Sequence, residues 1–528
     1  MPTARQEIGR LQRLLFQRQR RLIAAAVQRA TPEFGAFEAR YEKRVRRHQR
    51  EASYDELIDE LLRSDLAYVG DYHTLKQSQR SYWKLVRRLQ ARGRKLVLAL
   101  EFVQGRHQPA LDDWLRGRIG EQRFLERVEY GRHHRFDIWP HFAPIFEEAR
   151  KRRLPVVGID KLAPGLAERE EYAARRIAEA ARAHPGALVL TLTGQLHVAP
   201  PHLPAAVARE LREPRRHLTV YQNCEDIYWA LQKSGHELDV EAVLVRPGEW
   251  CLINTPPVIV QESFLDWIEG GMEPLEGDHL EQRFKALARL VARFLRLDDA
   301  RFRAALDQVT VYTAGDLSFI ETLPSRGFTR SEVRAIEEQI LSRESYYIPR
   351  AHIAYLANLS VNHAAEEAAH FVRHVVSGAA DEPRGLVDAF YARALEEAFA
   401  FFGSKIVNPR RKCPHEPEFE KHLRGRDRFQ REVARFVLAH KRIERGERPH
   451  QSLRALYRHA DLDLFNAVTH SLGYILGERL YYALARGRIA KAEMRELFVD
   501  PLDEEGAPFL TYLDLVTRLA DVRIPKRA

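Results

Sequence analysis

The sequence predicts an α/β protein: a mainly parallel sheet flanked by helices in its first half, joined to a mostly α-helical second half. Three observations carry this. Short apolar runs recur between Leu66 and Ile253, each ending abruptly in a polar group, as strands buried on both faces do. Amphipathic stretches of helical period separate them, and strand–helix–strand order implies parallel neighbours joined by crossovers. Beyond about residue 278 the apolar runs give way to long helical patterns.

At 528 residues, 45% hydrophobic and 30% charged, the chain exceeds one ordinary core and fits roughly two to four domains. No stretch reaches the roughly 18 uninterrupted apolar residues of a membrane span. The first thirty residues show no apolar core followed by a small-residue cleavage site, so the expected location is cytoplasmic. Cys224, Cys251 and Cys413 lie far apart without CxxC spacing. That excludes a disulfide framework or a cysteine-rich zinc module and fits a reducing compartment.

Residues 1–64 read as a basic helical N-terminal arm, split near Thr31-Pro32 where proline suits a helix start. The first 50 residues hold 13 Lys/Arg against 4 Asp/Glu, nearly all of the net +10. Ile8, Leu11, Leu14, Leu15 and Ile23 repeat among arginines. Such a helix either makes weak contact with an anionic membrane surface or docks on its own protein with its arginines in solvent. No aromatic interleaving or motif marks a specific nucleic-acid site.

Residues 65–272 form the expected α/β domain. Its first strand is Leu66-Ala67-Tyr68-Val69-Gly70-Asp71, running into Tyr72-His73. The second is Lys95-Leu96-Val97-Leu98-Ala99-Leu100, ending in Glu101. Helices are expected over 108–130 and 142–153, a third strand over 154–160, a helix over 167–183 and a fourth strand over 187–194. Shorter strands follow at 217–221, 242–245 and 250–253. Residues 278–528 form a separate helical domain, with helices over 280–297, 352–376, 386–402, 429–445 and 464–485.

Residues just past the carboxyl ends of such strands line the crevice where open α/β sheets bind ligands. Two strands end in Gly-x-x-His, at Gly70…His73 and Gly194…His197, and Glu101 ends a strand between them. About one GxxH is expected by chance in a chain with this many His and Gly, so context carries the signal. Indeed Gly131…His134 is a third instance with no strand before it. Glycine lets backbone turn sharply and approach a ligand, and the histidine can swing over the sheet edge. His73, Glu101 and His197 would make a three-ligand set for Zn, Mn or Fe that leaves positions open. They would equally make a metal-free site with a histidine as general base, or the histidines only cap their turns. His73 and Glu101 are expected side by side.

These motifs resemble the superfamily that joins ChaN haem-binding proteins, Tiki metalloproteases, TraB-type proteins and erythromycin esterases. The order of segments is most similar to ChaN over roughly residues 60–270. Val69-Gly70-Asp71-Tyr72-His73 resembles the opening motif and Leu100-Glu101-Phe102-Val103-Gln104 the glutamate strand. Leu111-Asp112-Asp113-Trp114-Leu115-Arg116-Gly117, the stretch Trp139 through Ala149, and Leu154-Pro155-Val156-Val157-Gly158 resemble the middle of the domain. Leu192-Thr193-Gly194-Gln195-Leu196-His197 resembles the second histidine motif. The resemblance implies a ligand site at the strand ends, used by ChaN relatives for haem and by Tiki relatives for divalent metal and peptide hydrolysis. Gly70, Tyr72 and Gly194 would line it; Tyr72 and the Tyr228-Trp229 pair are haem contacts or core aromatics.

In the helical half, His352, His363, Glu367, His370 and His374 fall on one face of the expected 352–376 helix. Glu367-x-x-His370 is the spacing with which one helix serves a di-iron bundle. The apolar stripe of that helix is centred about 130° away, which turns this face from a bundle interior. The functions left open are a haem- or metal-binding protein, a metal-dependent or histidine-based hydrolase acting on a small substrate, and an inert interaction scaffold.

Overall fold

A computed structural model describes the chain except residues 1–2, 27–38, 40, 134–136, 164, 272–277, 314, 342–344, 358–359, 379–383, 448–461 and 526–528. It divides into two compact units, Phe16–Pro274 and Met1–Leu15 with Leu275–Pro525. Of the expected arm, Met1–Leu15 groups with the second unit and the residues from Phe16 on with the first. The expected break at Thr31-Pro32 lies outside the described residues. Helix Ala4–Ala26 buries Ile8, Gln12, Phe16 and Gln19 and exposes Arg10, Arg13, Arg18 and Arg21. Within the α/β unit, Phe16 meets Trp229 edge-on at 5.5 Å, and Gln19 donates to Glu262.

The α/β unit is built on β1 (Arg50–Ala52), β2 (Leu66–Asp71), β3 (Leu96–Gln104), β4 (Val156–Asp160), β5 (Leu188–Gly194), β6 (His217–Gln222), β7 (Ala242–Arg246) and β8 (Glu249–Leu252). Their order is β1-β7-β8-β6-β2-β5-β3-β4. The six strands from β8 to β4 are parallel, and β7 and β1 continue the sheet antiparallel at one side. All six parallel strands therefore present their carboxyl ends at one edge, as the sequence predicts.

β2 is buried at every residue, and β5 at every residue before Gly194. A strand apolar on both faces gains most at the centre of a covered sheet, which is why β5 inserts between β2 and β3. His73 and Glu101 still lie side by side as expected, Nε2 3.9 Å from Oε2, although β5 separates their strands. On one face, Phe102 stacks on Phe142 at 4.6 Å and Trp114 on Phe124 at 5.2 Å within a large aromatic core. Tyr228 is fully buried and Trp229 is 9% exposed, so both are core aromatics.

The second unit is largely helical, as expected, and also holds a small sheet that was not expected. Strands β9 (Thr310–Thr313), β10 (Tyr346–Ile348) and β11 (Ile353–Leu356) form a small sheet in the order β10-β11-β9. Ile353-Ala354-Tyr355-Leu356 is buried throughout. So short a run cannot declare helix or strand by periodicity, and its partner strands decide. His352 sits before it with φ 54°, and the helix begins only at Val361. His352 therefore leaves the expected polar face. His363 pairs with Glu366 at 3.2 Å and His374 packs on Tyr347.

Helices Leu386–Val407 and Leu462–Ala485 approach closely. A Cβ on Gly473 would sit 2.6 Å from the Ala394 carbonyl oxygen, so only glycine allows this contact. Charges are buried among these helices. Burial opposes ionisation of Glu366, but Arg411 at 2.8 Å and then His363 more than offset it and hold the carboxyl down to about 2. Lys441 and His440 do the same for Glu444, also held to about 2. Both groups titrate lower folded than unfolded, so the unfolded chain binds more protons in acid. Their stabilisation is present above about pH 5 and is lost as pH falls toward about 2. The urea midpoint followed by far-UV circular dichroism should be steady down to about pH 5 and then decline; a flat midpoint down to about pH 3 would contradict this account.

Candidate functional site

β2 ends in the buried Asp71. One of its oxygens accepts from Gln79 Nε2 at 2.6 Å, the other from His73 Nδ1 at 2.7 Å. A carboxylate only accepts, so Nδ1 carries the proton, and Nε2 lies 3.9 Å from Glu101 Oε2. The His73 side chain is 50% exposed. Burial disfavours its charge, but the hydrogen bond and charge of Asp71, with Glu101, push His73 up to about 9. Desolvation in turn raises Asp71.

Side chains alternate along β3, so Phe102 enters the aromatic core while Glu101 takes the other face. β3 runs on to Gln104, so Glu101 does not end the strand. It stands where the pairing with β5 stops, after Leu100↔Leu192. The last residues of β5 bond to its carboxylate instead: Thr193 Oγ1 at 2.7 Å and the Gly194 N–H at 2.6 Å. Arg169 donates to the other oxygen at 2.9 Å and also binds Asp160 at 2.8 Å. Against the effect of burial, His73, His197 and Arg169 hold Glu101 down to about 2.

β5 passes into a short 3₁₀ turn, Gln195–Val198, that carries His197. Its Nδ1 meets Glu170 Oε1 at 2.8 Å. Both site histidines therefore have a carboxylate on Nδ1. Gly194 lies under all of them: a Cβ added there would sit 3.4 Å from His197 Cδ2, 3.6 Å from Glu101 Oε2 and 3.8 Å from His73 Nε2. Beside them a cavity of about 20 Å³, lined by Glu101, Asp160, Arg169, Glu170 and His197, has room for about one water.

The structure thus brings His73, Glu101, His197 and Gly194 together. Gly70 and Tyr72 belong to an adjoining network. A Cβ on Gly70 would overlap Gln195 Oε1, and Gln195 donates to the Gln222 carbonyl and the Tyr41 hydroxyl at 2.7 Å each. The Tyr72 hydroxyl hydrogen-bonds Tyr41, and burial raises its pKa. His134 of the third Gly-x-x-His lies outside the described residues, and Gly131 stands on a short helix, Tyr130–His133.

Sequence reasoning missed Asp71, Arg169, Glu170 and His141. Asp71, two residues before His73 in its motif, was there to be read. Arg169 and Glu170 look like any charges on the amphipathic helix Leu166–Ala183. Burial lowers the pKa of His141, whose charged neighbours are Lys76, Asp71 and Asp137.

Residues 57–163 match the family described as "Haem-binding uptake, Tiki superfamily, ChaN". The sheet unit carries a ChaN-like segment. The matched stretch includes His73, Glu101 and Asp160 but ends before His197. A solved structure titled "Cofacial heme binding to ChaN of Campylobacter jejuni" is 14% identical, covering 33% of this chain and 88% of that one, with a TM-score of 0.27. Comparison with curated proteins gives no match. Among the described residues, no helix is long and apolar enough to cross a membrane.

The two glycines of the ChaN-like edge should behave differently on gaining a methyl group. Gly70→Ala drives Cβ into Gln195 and should cost about 1–3 kcal/mol of unfolding free energy. Gly194→Ala makes only ordinary contacts and should stay within about 1 kcal/mol of wild type. Urea denaturation of both variants checks this, and equal losses would overturn the assignment of Gly70 to packing.

Proposed function

We propose that the α/β unit binds haem at the carboxyl edge of its sheet, with His73 as the iron ligand. The observation that carries this reading is the Asp71–His73 pair: Nδ1 is anchored on a buried carboxylate, and the half-exposed ring holds Nε2 3.9 Å from Glu101. A carboxylate on the far nitrogen fixes the tautomer and raises the basicity of a ligating imidazole. The match to a family described as haem-binding supports it.

The neighbouring cavity of about 20 Å³ admits no porphyrin, so haem would rest on the open sheet edge beside the exposed His73 ring. Leu162, 60% exposed just after β4, offers an apolar contact at that edge. His197, steadied by Glu170, and Gly194 would line the approach. Haem would bring iron coordination and redox chemistry; the chain contributes binding and orientation. Ligation requires that Nε2 give up its proton.

A bare Mn, Zn or Fe ion suits these residues less well. The Glu101 oxygens are committed to Arg169, Thr193 and Gly194, and His73, Glu101 and His197 do not bring their ligand atoms within 4.8 Å of one another. A hydrolase is also less well supported, since Glu101, held to about 2, is a weak base near neutrality.

Hemin titration of the purified chain tests the reading. A saturable Soret shift is expected, abolished in His73→Ala and weakened about 10- to 100-fold in Asp71→Asn. A Soret response unchanged in His73→Ala but lost in His141→Ala would move the ligand to His141. Absence of any response in folded protein would overturn haem binding.

A further inference from the structure

The helical unit holds a second convergence of ligand-type side chains. Cys413 and His415 flank Pro414 in the extended segment that leads into helix Glu416–Leu423. Residues two apart in extended chain point the same way. His415 is the N-cap of that helix, and its backbone N–H donates to Glu418 Oε2 at 3.1 Å, which fixes its entry. Glu478 comes from helix Leu462–Ala485.

His415 Nε2 lies 2.8 Å from Glu478 Oε2, Cys413 Sγ 3.3 Å from the same oxygen, and Sγ 3.9 Å from Nε2. Among the described residues, these three alone bring at least three His, Cys, Asp or Glu ligand atoms within 4.8 Å of one another. The other Glu478 oxygen accepts from Lys405 Nζ at 2.8 Å, and Lys405 is fully buried. Cys413 and Glu478 are buried, whereas the His415 side chain is 34% exposed. One side of the cluster is thus reachable from solvent.

We propose that Cys413, His415 and Glu478 bind a divalent metal ion of borderline softness, Zn²⁺ foremost. Zinc takes sulfur at about 2.3 Å and nitrogen or oxygen at about 2.0–2.2 Å, which sets tetrahedral ligand atoms roughly 3.3–3.6 Å apart. The observed separations reach that range by shifts of about half an ångström. A thiolate and an imidazole select against Mg²⁺ and Ca²⁺, which want oxygen shells. On binding, the Cys413 thiol releases its proton to solvent and the sulfur takes the metal. His415 moves the proton it donates to Glu478 from Nε2 to Nδ1, so that Nε2 of the still neutral ring and Oε2 of Glu478 supply lone pairs, while Lys405 keeps Oε1. Three protein ligands leave a fourth position for water or a small ligand.

The test uses the full-length chain, stripped with a chelator and reloaded with Zn²⁺ or Co²⁺. Wild type should retain about one equivalent of Zn²⁺ after dialysis, and Co²⁺ should give a near-ultraviolet thiolate-to-cobalt charge-transfer band. Cys413→Ser should abolish the band, and His415→Ala should weaken Zn²⁺ binding at least about tenfold, with unchanged far-UV circular dichroism. His73→Ala should leave both readouts as in wild type, which separates this site from the proposed haem site. If Cys413→Ser fails to fold, the wild-type cobalt spectrum and the milder His415→Gln decide. No thiolate band in wild type, binding indifferent to both substitutions, or binding lost in His73→Ala would each overturn the proposal.

Discussion

The parallel pairing of β2 with β5 is the constraint on which the sheet-edge site depends. Its register sets Leu66 opposite Val189 and Asp71 opposite Gly194. That single alignment brings two strand exits together, so the turns carrying His73 and His197 leave from neighbouring positions. A slip of one residue would send every side chain of one strand to the other face. The apolar side chains of both strands, buried on both faces, make that slip costly. The network of Gln195, Gln222 and the Gly70 carbonyl locks β2, β5 and β6 at the same level, with Gln222 Nε2 donating to Gly70 at 2.6 Å. Packing fixes the register; the register makes the site.

Upon that frame the electrostatics are tightly compensated. Asp71, Glu101, Asp160 and Glu170 crowd one edge, and four carboxylates so close would repel. Arg169 bridges Glu101 and Asp160, while His73 and His197 each answer one further acid. The Gly194 N–H adds a charge-assisted hydrogen bond to Glu101, stronger than one between neutral groups. A carboxylate satisfied in this way is a fixed negative pole. It orients and charges the imidazole beside it more readily than it accepts protons itself. The edge therefore holds the His73 ring between Asp71 and Glu101.

Much of this was legible in the sequence, for identifiable reasons. Strands covered by helices read as apolar runs, so β2, β3, β5 and the edge strand β4 announced themselves, and the polar residues near their ends marked the carboxyl edge of the sheet. The order of strands was not legible, because no local signal says that β5 threads between β2 and β3. Arg169 and Glu170 were hidden for a different reason. A helix that must be charged on its solvent side gives no local sign of which charges turn inward. β11 was misread because four apolar residues followed by a helical pattern extend that pattern backward, and only their pairing with β9 and β10 declares a strand.

The same limit explains why the cysteines of this chain said little from spacing alone. Cys413 has no cysteine partner, and its neighbour in space, Glu478, is 65 residues on. The fold supplies what the spacing withheld, and the way Glu478 is satisfied bears on its purpose. Lys405 alone would neutralise its charge, and a buried pair already carries a desolvation cost of several kcal/mol per ion. The His415 hydrogen bond steadies the second oxygen, whereas the Cys413 thiol, a weak donor, adds little. A thiol and an imidazole converging on one carboxylate oxygen, with one side open to water, suit a ligand set better than they suit a core.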